Sequence, residues 1–246
     1  MKRLLDLSHP VATGIPAWAE MAGTFGLART LVSTWEDYEE TAYLRTHGKV
    51  KELFRTCLVV MSDNGGTHVD GTRHFDPLGE WAPEIPLEPF YGSAVLLDVT
   101  HLRPVRYDPE RRTVLETDWI TPEVLEQACA RAGVEIQPRD IVLIRTGGGE
   151  KWPRLEYHYH IVPFRVEGVE WMLDRGVLLY GVDQITIDII PGYDLPHMLM
   201  RKRYHMIMEN LANLHLIDQP RFRFVGFPLK WEGASCSPLR AVAIFD

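Results

Sequence analysis

A chain of 246 residues, 46 % apolar and 24 % charged, has the size for a buried core and the balance of an ordinary globular protein. Its formal charge of −8 is dispersed, which argues against non-specific binding to nucleic acid or an anionic membrane. No apolar run approaches the roughly 20 residues that span a bilayer.

Pro and Gly are scattered as turn punctuation, with no repeat or linker, so one domain over 1–246 is expected. In chain order, strand-like runs fall at 4–8 and 57–61, and more strongly at 94–99 and 141–145, which are nearly all apolar, as buried strands tend to be. The stretch 35–52 reads as helical in part. Thr121-Pro122-Glu123 supplies a helix cap, a first-turn proline and an acid, and Gly133 supplies a stop. Val166, Val169, Met172 and Leu173 mark a second helix stopped by Gly176, and a short third begins near Pro196. Further strands are expected at 178–182 and 241–245. Strands outnumber helices, which predicts an α/β or α+β fold with a mixed central sheet.

Cys57, Cys129 and Cys236 stand apart with no C-x-x-C pair, which disfavours a thiolate zinc site and suits a reducing compartment. The N-terminus turns polar too early for a signal peptide. A cytoplasmic protein is expected.

The densest polar segment runs Asp63-Asn64-Gly65-Gly66-Thr67-His68-Val69-Asp70-Gly71-Thr72-Arg73-His74-Phe75-Asp76, directly after an apolar run. Its glycines permit tight bending, so its side chains can converge. His68 and Asp70 are two apart, which in an extended segment puts both on one face and makes half of a divalent-metal site. His74 has the chemistry of an acid-base group near neutral pH. A polar surface loop reads equally well from these residues alone.

A second segment holds His197, His205 and Glu209 among apolar neighbours. A buried glutamate is costly unless paired or metal-bound. His205 and Glu209 also have helical i, i+4 spacing, which would make a simple hydrogen-bonded pair. Tyr157-His158-Tyr159-His160 offers His158 and His160, with Trp18, as pocket-lining candidates. No G-x-S-x-G elbow is present, and Gly147-Gly148-Gly149 lacks the G-K-[ST] of a phosphate loop.

The run from Asn64 to His74 resembles the signature H-x-G-T-H-x-D-x-P-x-H of the cyclase family of metal-dependent hydrolases, the kynurenine formamidase and isatin hydrolase type. Further likeness lies in Asp6-Leu7-Ser8-His9-Pro10, in Asp140 to Gly147, in Gly181-Val182-Asp183, in His197 with Glu209, and in Ser237-Pro238-Leu239-Arg240. The resemblance implies a swivelling β/β/α fold, one or two divalent ions and a homo-oligomer. It makes Asn64, His68, Asp70, His197 and Glu209 the expected ligands and His74 the acid-base group. Asn64 stands where the family has its first histidine. An amide oxygen is a weaker, harder ligand, which favours Mn²⁺ or Mg²⁺ over Zn²⁺, or one ion over two.

The function so implied is hydrolysis of an amide, lactam or lactone bond in a small cyclic or aromatic substrate by a metal-activated water. A metal-assisted aldol ring cyclase and a non-catalytic metal- or ligand-binding homologue are the alternatives. Substrate choice would rest on the segments 22–51 and 148–160.

Overall fold

The computed structural model describes residues 2–15, 30–38, 47, 54–108, 113–188 and 196–245. Its strands begin with β1 (Arg3–Asp6), β2 (Leu31–Glu36), β3 (Thr56–Val60), β4 (His68–Asp70), β5 (Tyr91–Asp98), β6 (Arg106–Asp108) and β7 (Thr113–Glu116). Helix α1 (Pro122–Ala132), β8 (Ile141–Arg145), α2 (Val166–Asp174), β9 (Leu179–Val182) and β10 (Met206–Glu209) follow. The chain closes with β11 (Arg221–Val225), β12 (Cys236–Pro238) and β13 (Val242–Phe245).

The helix signals act as expected. The Thr121 hydroxyl accepts from Val124 N–H at 3.4 Å, Pro122 opens α1, and Gly133 turns left-handed with φ +64° to end it. Gly176, at φ +80°, turns the chain after α2. The helix expected near Pro196 is a six-residue 3-10 helix, Pro196–Arg201. Of the stretch 35–52, Trp35 and Glu36 belong to β2, while 39–46 and 48–52 lie outside the described residues.

Nine strands form one sheet in the order β1-β13-β11-β5-β8-β9-β10-β4-β12. The middle run β5-β8-β9-β10 is parallel, and the flanks are antiparallel. This is the mixed α/β fold that the sequence predicts. Both faces of the parallel run are covered, so the middles of its strands are apolar. Val95, Leu97, Val142, Ile144, Tyr180, Val182 and Ile207 pack with Leu125, Ala128, Val169 and Met172 of α1 and α2. Their alternates, Ala94, Ile141, Leu143, Leu179, Met206 and Met208, face a second core with Phe90, Phe222 and Phe224.

The apolar strand at 57–60 forms, but outside this sheet. β3 pairs with β2 in a separate two-stranded ribbon, and Trp35, Leu58, Val59 and Val60 are exposed there. The helical spacing of His205 and Glu209 misleads: Met206–Glu209 is a buried strand. His205 bonds the Arg203 carbonyl at 2.9 Å through Nδ1 and stacks on Tyr180.

Candidate metal centre

The sheet register builds the site. Strand β4 lies between β10 and β12, with Glu209 directly opposite His68 on one side and Cys236 directly opposite Asp70 on the other. Residues directly opposite share a face, as do residues two apart on a strand. His68, Asp70, Glu209 and Cys236 therefore emerge on one face, while Val69 between them points into the second core. The 3-10 helix Pro196–Arg201 brings His197 to the same place.

Four side chains converge there. His68 Nε2 lies 3.3 Å from Asp70 Oδ1 and 3.8 Å from Glu209 Oε2. His197 Nε2 lies 3.5 Å from Asp70 Oδ2 and 3.4 Å from Glu209 Oε1. All four residues are at most 5 % exposed. These spacings exceed those of good N–H···O bonds, and among the described residues Asp70 Oδ1 and Glu209 Oε1 have no hydrogen-bond partner.

Each imidazole is anchored through its other nitrogen. His68 Nδ1 donates to the Gly66 carbonyl at 2.8 Å, which also accepts from Asn210 Nδ2 at 2.9 Å. His197 Nδ1 donates to Asp188 Oδ2 at 2.7 Å. Both Nε2 atoms are thus aimed at the two carboxylates, the arrangement that outer-shell partners impose on ligating histidines.

The electrostatics match. Burial opposes a charged His68, but Asp70 and Glu209 outweigh it and raise its pKa from 6.5 to about 9. Burial likewise opposes charge on His197, and Asp188, Asp70 and Glu209 overcome it to hold the pKa well above 6.5. Burial would raise Asp70, yet the neighbouring imidazoles keep it well below 3.8. Glu209 is raised by burial and by the Asp70 charge. Two buried carboxylates, with oxygens lacking partners and two imidazole nitrogens facing them, form a donor set that fits one divalent cation.

His74 stands beside this group at the end of the 3-10 turn Thr72–His74, half-buried. Its Nδ1 meets Ser235 Oγ at 3.3 Å. Asp63 Oδ2 accepts from Ser235 N–H at 3.0 Å and from its hydroxyl at 3.4 Å. His74 Nδ1 is thereby tethered.

The other expected site residues are held as follows. Asn64 Oδ1 accepts from Ser62 Oγ at 2.5 Å. His160 Nε2 bonds the Thr146 carbonyl at 3.0 Å, and burial lowers its pKa. His158 is half-buried against the Tyr157 ring. The Tyr157 hydroxyl donates to Asn210 Oδ1 at 2.5 Å, so the 157–160 segment connects to His68 through Asn210. Trp18 lies outside the described residues.

Asp188, Ser235, Cys236 and Asn210 escaped the sequence reading. Asp188 follows an apolar-looking Ile185-Thr186-Ile187 and carries no local signal. Ser235 and Cys236 come from the far end of the chain and reach the site only through strand pairing. Asn210 offers a faint signal: it sits at φ +57°, a conformation that asparagine tolerates better than most residues.

Comparison with known proteins agrees with this geometry. A family model described as "Putative cyclase" matches residues 5–189, more than half of the chain. Kynurenine formamidase of Bacillus cytotoxicus is 28 % identical over 244 residues, covering 97 % of this chain and 95 % of that one. Kynurenine formamidase of Paracidovorax citrulli is 27 % identical over 185 residues, 75 % of this chain and 77 % of its own. In fold, isatin hydrolase A of Ralstonia solanacearum superposes with a TM-score of 0.78 at 24 % identity, covering 100 % of this chain and 92 % of that one. On the strength of the family-model match over most of its length, the chain belongs to the cyclase family.

Proposed function

We propose that this protein is a metal-dependent hydrolase of non-peptide amide bonds in small aromatic or cyclic substrates. The observation that carries the reading is the convergence of two buried carboxylates and two Nε2 atoms, with Asp70 Oδ1 and Glu209 Oε1 lacking any partner. The relatives support the substrate class, since they are named for a formamide and for isatin.

His68, Asp70, His197 and Glu209 hold the cation, Mn²⁺ or Zn²⁺, with Asp70 and Glu209 each within reach of both imidazoles. When bound, the ion supplies Lewis acidity, polarising a carbonyl and easing the ionisation of water. His74 Nε2 accepts the water's proton and returns it to the departing nitrogen. Ser235 and Asp63 hold the His74 ring so that the same nitrogen serves both steps. Asn64, whose amide oxygen is a weaker ligand than the histidine of the family signature, supports one resident ion rather than two. His158 and His160, on the segment that Tyr157 ties to Asn210, are the candidates for contact with the substrate.

The whole chain acts as one domain, since one sheet draws strands from Arg3–Asp6 through Val242–Phe245. The exposed apolar ribbon β2–β3 supports a homo-oligomer. No described helix is long and apolar enough to cross a membrane. Three free cysteines, one of them exposed, support a cytoplasmic setting.

Elemental analysis after chelator-free purification, with turnover of aryl formamides and lactams on wild type and His74→Ala, tests the reading. About one equivalent of Mn²⁺ or Zn²⁺ in both proteins is expected, with turnover in the variant lower by roughly two to four orders of magnitude. A wild type that neither holds nor takes up either ion, or a His74→Ala of undiminished turnover, overturns it.

A further inference from the structure

Asp70 faces two groups of ligand-bearing atoms. On one side are His68 and Glu209. On the other, atoms of Asp70, His74 and Cys236 lie within 4.8 Å of one another. This second group draws on neither His68 nor His197, and its sulfur has no part in the hydrolytic reading above.

The strand register makes the approach of Cys236 to Asp70 obligatory, because the two are directly opposed across β4 and β12. The thiol is buried at 0 % exposure. Its backbone N–H donates to Asp63 Oδ2 at 3.2 Å, which fixes the residue, while Sγ has Ser235 Oγ at 3.6 Å. Asp70, 2 % exposed, meets Cys236 from the neighbouring strand. Ligand atoms at about 2.0–2.3 Å from a tetrahedral zinc sit roughly 3.3–3.8 Å apart, so the cluster closes on such an ion with side-chain shifts of an ångström or less.

We infer that Asp70, His74 and Cys236 form a second cation seat, one that prefers thiophilic divalent ions such as Zn²⁺ and Cd²⁺ and that inhibits the protein when filled. A sulfur, a nitrogen and a carboxylate oxygen favour such ions over Mn²⁺ or Mg²⁺. On binding, the sulfur–cation bond forms and the thiol proton leaves to solvent. Asp70 would then be shared between this seat and the group that includes His68 and Glu209. The inhibitory consequence rests on the acid-base role proposed for His74, because an imidazole nitrogen bound to a cation accepts no proton.

The probe is Cd²⁺, added to metal-loaded protein carrying Cys57→Ser and Cys129→Ser, so that Cys236 alone can supply sulfur. An ultraviolet thiolate-to-cadmium charge-transfer band that saturates near one added equivalent, with the resident ion retained, is the expected result. Loss of turnover should track the band. Adding Cys236→Ser should abolish the band. His74→Ala, altered from the half-buried side, should keep the band but weaken Cd²⁺ by more than the roughly 10–100-fold that loss of a supporting contact costs. No band at saturating Cd²⁺, or a band that persists in the Cys236→Ser protein, overturns the seat. A band without inhibition keeps the seat and discards its link to His74, so the two readings fail separately.

Discussion

Asp188→Asn isolates the contribution of a single outer contact to the centre. The carboxylate accepts the His197 Nδ1 proton at 2.7 Å, with His197 at 4 % and Asp188 at 5 % exposure. Asparagine has nearly the same shape, so no cavity opens. Its amide oxygen can still accept the proton, but without the charge that makes the imidazole a stronger donor to a cation. A hydrogen bond to a charged group contributes about 1.5–3 kcal/mol. Loss of an outer-shell partner weakens metal binding roughly 10–100-fold, or about 1.4–2.7 kcal/mol. The two routes agree in size, and a dissociation constant raised by one to two orders of magnitude is expected. Competition against a chromophoric chelator with Zn²⁺ or Mn²⁺ measures it, with near-ultraviolet circular dichroism to show that the variant is folded. A folded variant that binds within about twofold of wild type would refute the claim that Asp188 tunes His197.

Ser235→Ala removes the hydroxyl between Asp63 and His74. It should lower kcat about tenfold, a fraction of the full acid-base effect, with KM and metal content unchanged; a parallel rise in KM would assign Ser235 to substrate binding instead. The metal-stripped protein should lose stability in alkali. His68 has a folded pKa of about 9 against 6.5 unfolded, so its contribution of about 3 kcal/mol is complete below pH 6.5 and vanishes as pH rises through 9. Urea midpoints from pH 6 to 10 would show the decline, and the metal-loaded protein, whose imidazoles are already neutral, should lack it. Gly71→Ala should destabilise by about 1–3 kcal/mol and lower metal content together, because the new Cβ would sit 2.8 Å from both the Ser235 carbonyl and Ile85 Cδ1. An unfolding curve matching wild type would contradict that packing.

The parts of the site visible in the sequence are those that one segment carries. His68, Asp70 and His74 lie within seven residues, on a strand and the turn beyond it. His197 and Glu209 are visible as polar residues in apolar company, but their secondary structure is not. The spacing of His205 and Glu209 suits a helix, and pairing with β4 and β9 makes the segment a strand. Tertiary pairing outranks local spacing there. Helix α1 is legible because its caps are local chemistry, and α2 because its apolar spacing and the glycine after it are local too. The 57–61 run reads as a strand and forms one, but composition does not say where it lies, and its partner β2 leaves it on an exposed ribbon. Asp188, Ser235 and Cys236 are silent because their meaning comes from partners far along the chain.

Those distant partners bear on how the molecule assembles. Thr67 hydroxyl to Asn210 carbonyl spans 143 positions, and Ser235 to Asp63 spans 172. The short strand β4 acquires its neighbours from the last fifth of the chain. The ion therefore finds no pocket in the early, partly collapsed chain, where long loops have yet to close. It acts as a bolt slid home after the door has shut. Interactions absent from the folding transition state act on the rate of unfolding, so a cation held there should lengthen the life of the native molecule more than it speeds its formation.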